Sequence, residues 1–337
     1  MKVSGMLGSD LDMAPLAIGE LEARGYDVAF SAEINNDPFL PLALAAEHSE
    51  HIALSTSISV AFARNPMTVA QLAWDLNQYS RGRFSVGLGS QIKQHITRRF
   101  SMPWSQPAAR MREFIQAMRA IWRCWEHGEK LDFNGEFYQH NLMTPMFVPA
   151  KKDHGAPGVN LAAVGPLMTE VAAEVADGMI AHGFTTAKYL QEVTLPAVQR
   201  GLQKSGRQRE DFNISSPVMV VAGATEEAFA QSRLAVQGQL AFYASTPAYR
   251  GVLEVHGWED LQTEANQLTR EGRWQDMGEL IDDKILNTFA VVSEDPAQVP
   301  ALLQQRYGHL IDTWQCTFET GDRAQQQALI KAVQQAA

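Results

Sequence analysis

Cysteine is scarce. The 337 residues include two, Cys124 and Cys316, one in a helix-like run and the other in a distant strand-like run. That pair makes no disulfide framework, and no Cys-x-x-Cys is present, which suits a reducing cytoplasm. No apolar run approaches the ~20 residues of a membrane span. The start, Met1 to Leu7, is interrupted too early for a signal peptide. Positive charge is also in deficit. Lys and Arg total 28 against 38 Asp and Glu, a net charge of −10. Such a surface repels nucleic-acid backbones and anionic lipids, and leaves room for an anionic small molecule held locally. There is no P-loop and no Gly-x-Ser-x-Gly elbow. Gly87-x-Gly89 is followed by Ile92 where a Rossmann fingerprint wants glycine or alanine, and it is not in the first βα unit. His48 and His51 sit beside Glu47 and Glu50 at a helix end, which reads as a solvated terminus, so no metal site is expected.

What is present is hydrophobic and alternating. Apolar residues make up 45% of the chain, enough for a sizeable core. Strand-like runs fall at 1–8, 27–33, 52–60, 83–89, 159–164, 178–183, 212–222 and 312–319. Helical spacing fills the intervals, at 13–24, 38–50, 66–79, 107–126, 185–203, 295–305 and 323–337, with further helices after Pro166 and Thr225. Gly25 supplies a stop after the first helix, and Pro66 sits near the start of the third. The long helix carries Met111, Phe114, Ile115, Met118, Ile121, Trp122 and Trp125 as a core stripe. Strand–helix alternation implies a parallel sheet, and eight repeats over this length favour an α/β fold, a closed (β/α)8 barrel spanning 1–337 as one domain. Two segments break the pattern. Residues 128–157 read as an extended excursion with a short hairpin, and 243–287 as a charged insertion of short helical pieces. Their Phe, Met and Tyr content suits either a cover over the site or a dimer interface.

Barrel chemistry sits at the carboxyl ends of the strands. The run from Val159 to Val164 ends in Gly165-Pro166, then Leu167 and Met168 begin a helix. Proline fits that first turn, and the free N–H groups of Gly165, Leu167 and Met168 form a natural phosphate seat. Other strand ends offer hydroxyls and amides (Ser57, Ser59, Asn65, Ser90, Gln91), glycines such as Gly89, and three titratable groups, Glu33, His95 and His182. That set suits a flat polar heterocycle, with a cofactor supplying the difficult chemistry. Each has a structural alternative: Ser57 and Ser59 as barrel-lining polars, His95 as a cap, Glu33 as an arginine partner, His182 as a structural hydrogen bond.

Five segments, in order, carry a resemblance: Ser55 to Ala70, Ser80 to Ser90, Arg110 to Phe114, Phe133 to Tyr138, and Leu161 to Gly178. They resemble the bacterial-luciferase-like flavin and deazaflavin oxidoreductases over nearly the whole chain. Arg98 to Trp104 and Phe242 to Tyr249 are most similar to the branch dependent on coenzyme F420, a deazaflavin. The resemblance implies a homodimeric barrel and a cis Ser57–Ile58 peptide propping the central ring of the cofactor. It places Gly89 to Gln91 along that cofactor and its phosphate at Gly165 to Met168. It implies hydride transfer between the deazaflavin and a small organic substrate, which the Phe, Met and Tyr of the two insertions suggest is apolar, with Glu33, His95 or His182 handling protons. Arg64, Arg98, Arg99 and Arg110 are candidates for a phosphate or an acidic tail. One departure is informative. Sugar-phosphate dehydrogenases of the family have a histidine after strand two and an acid after strand four. Here Glu33 and Gln91 or Ile92 stand in those places, which argues against sugar-phosphate chemistry. The same barrel also holds flavin mononucleotide (FMN), as in a monooxygenase served by a separate flavin reductase. A non-catalytic flavin-binding protein is the alternative of another class.

Overall fold

The computed structural model describes every residue except Lys152, Trp274, Gln275, Thr317 and Ala337. Thr317, in the expected eighth strand, and Ala337, the expected end of the last helix, thus lie outside the described residues. Eight strands build the barrel: β1 (Lys2–Met6), β2 (Val28–Ser31), β3 (Ala53–Thr56), β4 (Phe84–Gly89), β5 (Gly158–Ala163), β6 (Gly178–Ala181), β7 (Asn213–Ser216) and β8 (Thr313–Cys316). Every pair in the ring is parallel. β1 meets β8 with Lys2 opposite Thr313, and β3 meets β4 with Leu54 opposite Phe84, which closes the cylinder. The expected (β/α)8 barrel is what forms.

Local chemistry sets the element ends. Gly25 adopts φ 86° after the helix Ala14–Arg24, a conformation that costs glycine nothing. Asn65 caps the helix Pro66–Tyr79, its side chain accepting from Met67 N–H at 2.9 Å. The long helix Pro107–His127 buries the predicted stripe. Trp125 meets Trp74 edge-on at 5.5 Å between ring centroids, and Trp122 Nε1 donates to Ala70 O at 3.1 Å.

Two expectations need correction. The third strand is interrupted, because the Ser57–Ile58 peptide is cis and the chain resumes as Ser59–Val60 against β4. That is the bond the resemblance pointed to. The seventh strand is two strands. Pro217 has no N–H to continue the ladder, so β7 stops at Ser216, and Met219–Ala222 pairs instead with Ala290–Ser293 outside the barrel. The latter strand was not foreseen, because Ala290-Val-Val-Ser has no alternation to show it.

The segment 128–157 contains the foreseen hairpin, Phe133–Asn134 against Gln139–His140. It packs on the outer flank of the long helix, where Glu113 accepts from the N–H groups of Glu136, Phe137 and Tyr138. From 243 on, the helices Arg250–Glu254, Glu259–Glu271 and Asp283–Phe289 surround a second apolar cluster that includes Phe184, Tyr189, Leu253, Leu286 and Phe289. Among the described residues, no helix is long and apolar enough to cross a membrane.

Candidate active site

A cavity of about 960 Å³ opens at the carboxyl ends of the strands. Ser57 and Ile58 form part of its lining, with Gly89, Ser90 and Gln91 from the end of β4. Val164, Gly165 and Met168 contribute from the end of β5, and His182 from the end of β6. A Cβ on Gly89 would lie 2.7 Å from Ile58 Cδ1, so a side chain there would displace Ile58. Below it, Gly87 touches Thr56, whose Oγ1 donates to Gly87 O at 2.7 Å and accepts from Gly87 N–H at 2.9 Å.

The start of the helix Pro166–Val175 faces this cavity. Gly165 has extended backbone, φ −85° and ψ 161°, and open space where a Cβ would stand. The first-turn N–H groups have no acceptor within the helix, so they and the positive end of its dipole suit an anion. Tyr189 Oη steadies the turn by donating to Val164 O at 3.2 Å. Pro166 and Leu167 project outward and do not line the cavity, Leu167 being 73% exposed.

Other expected residues lie elsewhere. Glu33 is buried behind the wall, where its Oε2 accepts from Val60 N–H at 2.7 Å and from the Arg64 guanidinium. Arg64 also pairs with Asp37 at 2.9 Å. Glu33 therefore braces the Ile58–Val60 turn and does not reach the cavity, because its carboxylate is occupied by the chain it supports. Ser59 is fully buried beside it, 3.5 Å from Glu33 Oε2. Asn65 is exposed and acts as the helix cap. His95 is exposed at the start of a π-helical turn, His95–Arg99, and is not part of the lining. Arg110 is buried, donating to Tyr138 Oη at 2.9 Å and to Pro103 O at 2.7 Å, while Arg99 donates to Ile34 O at 2.7 Å. Of the arginine candidates, Arg98 and Arg99 are exposed. Among the described residues, no three His, Cys, Asp or Glu side chains gather as a metal site.

His182 is the one titratable candidate in the cavity. Burial pulls its imidazole down to about 4. Its Nδ1 accepts from Phe184 N–H at 3.0 Å, and its Nε2 lies 3.1 Å from Tyr249 Oη. It is neutral at neutral pH and engaged at both nitrogens.

Sequence reasoning missed the aromatic wall and much of the remaining lining. Trp104, Pro217, Met219, Gln239, Tyr243, Tyr249 and Gln315 also line the cavity. The tyrosines lay within the stretch Phe242 to Tyr249, legible as a motif and not as a wall. This lining corrects the reading of the insertions as covers: the second contributes through Tyr243 to Tyr249, whereas none of the described residues of 128–157 lines the cavity.

The sequence profile of luciferase-like monooxygenases matches residues 9–313. An uncharacterized protein of Mycobacterium tuberculosis is 52% identical over 292 residues, 87% of this chain and 86% of that one. An F420-dependent glucose-6-phosphate dehydrogenase of Intrasporangium calvum is 32% identical over 229 residues, 62% of this chain and 66% of its own. Among solved structures, the coenzyme F420-dependent tetrahydromethanopterin reductase of Methanopyrus kandleri superposes with a TM-score of 0.75 at 18% identity, covering 99% of this chain and 97% of that one.

Proposed function

This chain belongs to the luciferase-like monooxygenase family, and from that premise we propose that it is an oxidoreductase that uses a deazaflavin, coenzyme F420, on a small apolar organic substrate. The observation that carries the reading is the juxtaposition in one cavity of the Ser57–Ile58 turn, the β4 end at Gly89 to Gln91 and the helix start at Gly165. Bound there, the deazaflavin supplies hydride chemistry at its C5 position. Ser57, Ile58 and the Gly89 to Gln91 end would hold the ring, the Gly165 turn would hold the phosphate, and the aromatic wall would exclude water. The identity of 32% to an F420-dependent enzyme supports the deazaflavin. The absence of an acid at Gln91 or Ile92, where sugar-phosphate dehydrogenases of the family carry one, argues for a different substrate.

The test is a fluorescence titration of the purified apoprotein with F420 and with FMN. Tight F420 binding with weak FMN binding supports the reading, followed by oxidation of reduced F420 in a screen of apolar compounds. Preference for FMN and substrate-linked oxygen consumption support the monooxygenase alternative, to which the family's description points. That alternative adds a flavin reductase as partner. Binding without turnover of any electron donor supports the non-catalytic flavin-binding alternative. The exposed Leu142, Met146 and Phe147 of the 128–157 segment support a homodimer, which sedimentation velocity checks.

A further inference from the structure

The aromatic wall carries a fixed hydrogen-bond order. The His182 ring stacks on Tyr249 at 4.4 Å between centroids with 29° between planes, and Tyr243 meets it edge-on at 4.7 Å. A neutral imidazole has its hydrogen on one nitrogen or the other. Here the backbone decides which. Phe184 N–H donates to Nδ1 at 3.0 Å, so Nδ1 offers a lone pair and the hydrogen belongs on Nε2. Nε2 is 3.1 Å from Tyr249 Oη, so it donates to that oxygen. The phenol proton of Tyr249 is then free to point elsewhere. Among the described residues its hydroxyl has no other partner, and Tyr249 lines the cavity.

The surroundings select the ligand. Burial keeps both groups neutral, with the Tyr249 hydroxyl pushed up to about 12 and the imidazole down to about 4. Among the described residues no charged group hydrogen-bonds to either ring, although Lys93 lines the same cavity. Ile180, Pro217, Met219 and Trp104 add apolar lining to the same cavity. A hydroxyl whose oxygen already accepts, and whose proton is available, favours an acceptor over a donor.

We propose that Tyr249 is the recognition group of the substrate side of the cavity, donating its O–H to the oxygen of a neutral, apolar carbonyl compound. His182 is a positioning residue that sets the direction of that donation. The word substrate rests on the oxidoreductase reading above, whereas the geometry belongs to the polypeptide alone.

The experiment uses the purified full-length protein without cofactor and two probes of similar shape, acetophenone and α-methylstyrene, in which C=CH2 replaces C=O. Binding is followed by tryptophan fluorescence, since Trp104 lines the cavity. In Tyr249→Phe, acetophenone binding weakens by about three- to tenfold, the range of a neutral hydrogen bond, while α-methylstyrene binding is unchanged or tighter. The carbonyl stretch of bound acetophenone is lowered in the wild type and returns to its apolar-solvent position in Tyr249→Phe. In His182→Phe that stretch loses its single lowered position while the melting transition stays cooperative, an outcome a purely structural histidine does not produce. Nitrogen NMR finds His182 protonated at Nε2 and bare at Nδ1.

Absence of measurable acetophenone binding, equal changes for both probes in Tyr249→Phe, or a proton on Nδ1 overturns the assignment. An F420 titration of the same preparations separates the two readings. If F420 fails to bind while the probe difference persists, the cofactor reading falls and this site stands. The reverse pattern removes only this site.

Discussion

Gln315 and Ser57 are 258 residues apart in the chain, yet Gln315 Nε2 donates to Ser57 Oγ at 3.0 Å. Both side chains line the cavity, so the end of β8 fixes the orientation of the residue that precedes the cis peptide. Replacing Gln315 by Leu keeps the bulk and removes the donor. The variant should lose about 1 kcal/mol of stability and bind F420 several-fold more weakly. Urea denaturation and the cofactor titration read the two effects, and unchanged binding would show that Ser57 needs no such partner.

Two glycines should respond in opposite ways. A Cβ at Gly87 would stand 1.9 Å from Thr56 O, a backbone atom held by β3. Gly87→Ala should therefore destabilise by about 3 kcal/mol or more, or fail to fold. A Cβ at Gly165 meets nothing within 4 Å, and its backbone suits any residue. Gly165→Val should leave stability within about 0.5 kcal/mol and weaken F420 binding at least about tenfold, through lost close approach to the phosphate. Full cofactor affinity in Gly165→Val would move the phosphate away from this turn.

His182 should impose a pH dependence on stability. Its pKa falls from 6.5 to about 4 on folding, because burial disfavours the imidazolium. Between those values the unfolded chain binds a proton that the folded chain does not. The contribution is fully present above about pH 6.5 and is lost as pH falls toward about 4, by at most about 3 kcal/mol. Denaturation curves for wild type and His182→Gln at pH 7.5 and pH 4.5 test this, since the variant should lack that part of the slope. Parallel pH profiles for the two proteins would assign the slope to other groups.

The Glu33–Arg64 pair should behave as a buried ion pair. Their side chains are 8% and 16% exposed. Arg64→Met strands the Glu33 carboxylate and should cost about 3–5 kcal/mol, whereas adding Glu33→Gln should recover part of that loss. A double-mutant cycle by chemical denaturation measures the coupling. Additive losses would mean that Glu33 draws its support from the Val60 N–H alone.

Much of the barrel was legible because its signals are local. Gly25 and Gly128 each end a helix in left-handed geometry, and Asn65 begins one with its own side chain. Pro217 was equally visible, but the partner that claims Met219–Ala222 lies at Ala290–Ser293, and pairing across that distance leaves no periodic trace. The candidate residues divided by the same rule. Glycines and strand-end polar groups at Ser57, Gly89 to Gln91 and Gly165 fell on the cavity, because a turn that leaves a barrel strand must open at its carboxyl end. Glu33 and His95 also followed strands, yet one was drawn behind the wall by Arg64 and Val60, and the other faces solvent.

The sequence by itself determined the order of strands and helices, their caps, the parallel barrel and the family to which the chain belongs, since each is written in spacing and in residues that act on near neighbours. Only the tertiary structure decided which polar groups are free to meet a ligand. Glu33 and Tyr249 are both ionisable residues in marked segments, and nothing in their neighbours tells them apart. Contacts made by distant elements engage the Glu33 carboxylate and leave the Tyr249 proton available, because a hydrogen-bonding group is defined by what it has already bound.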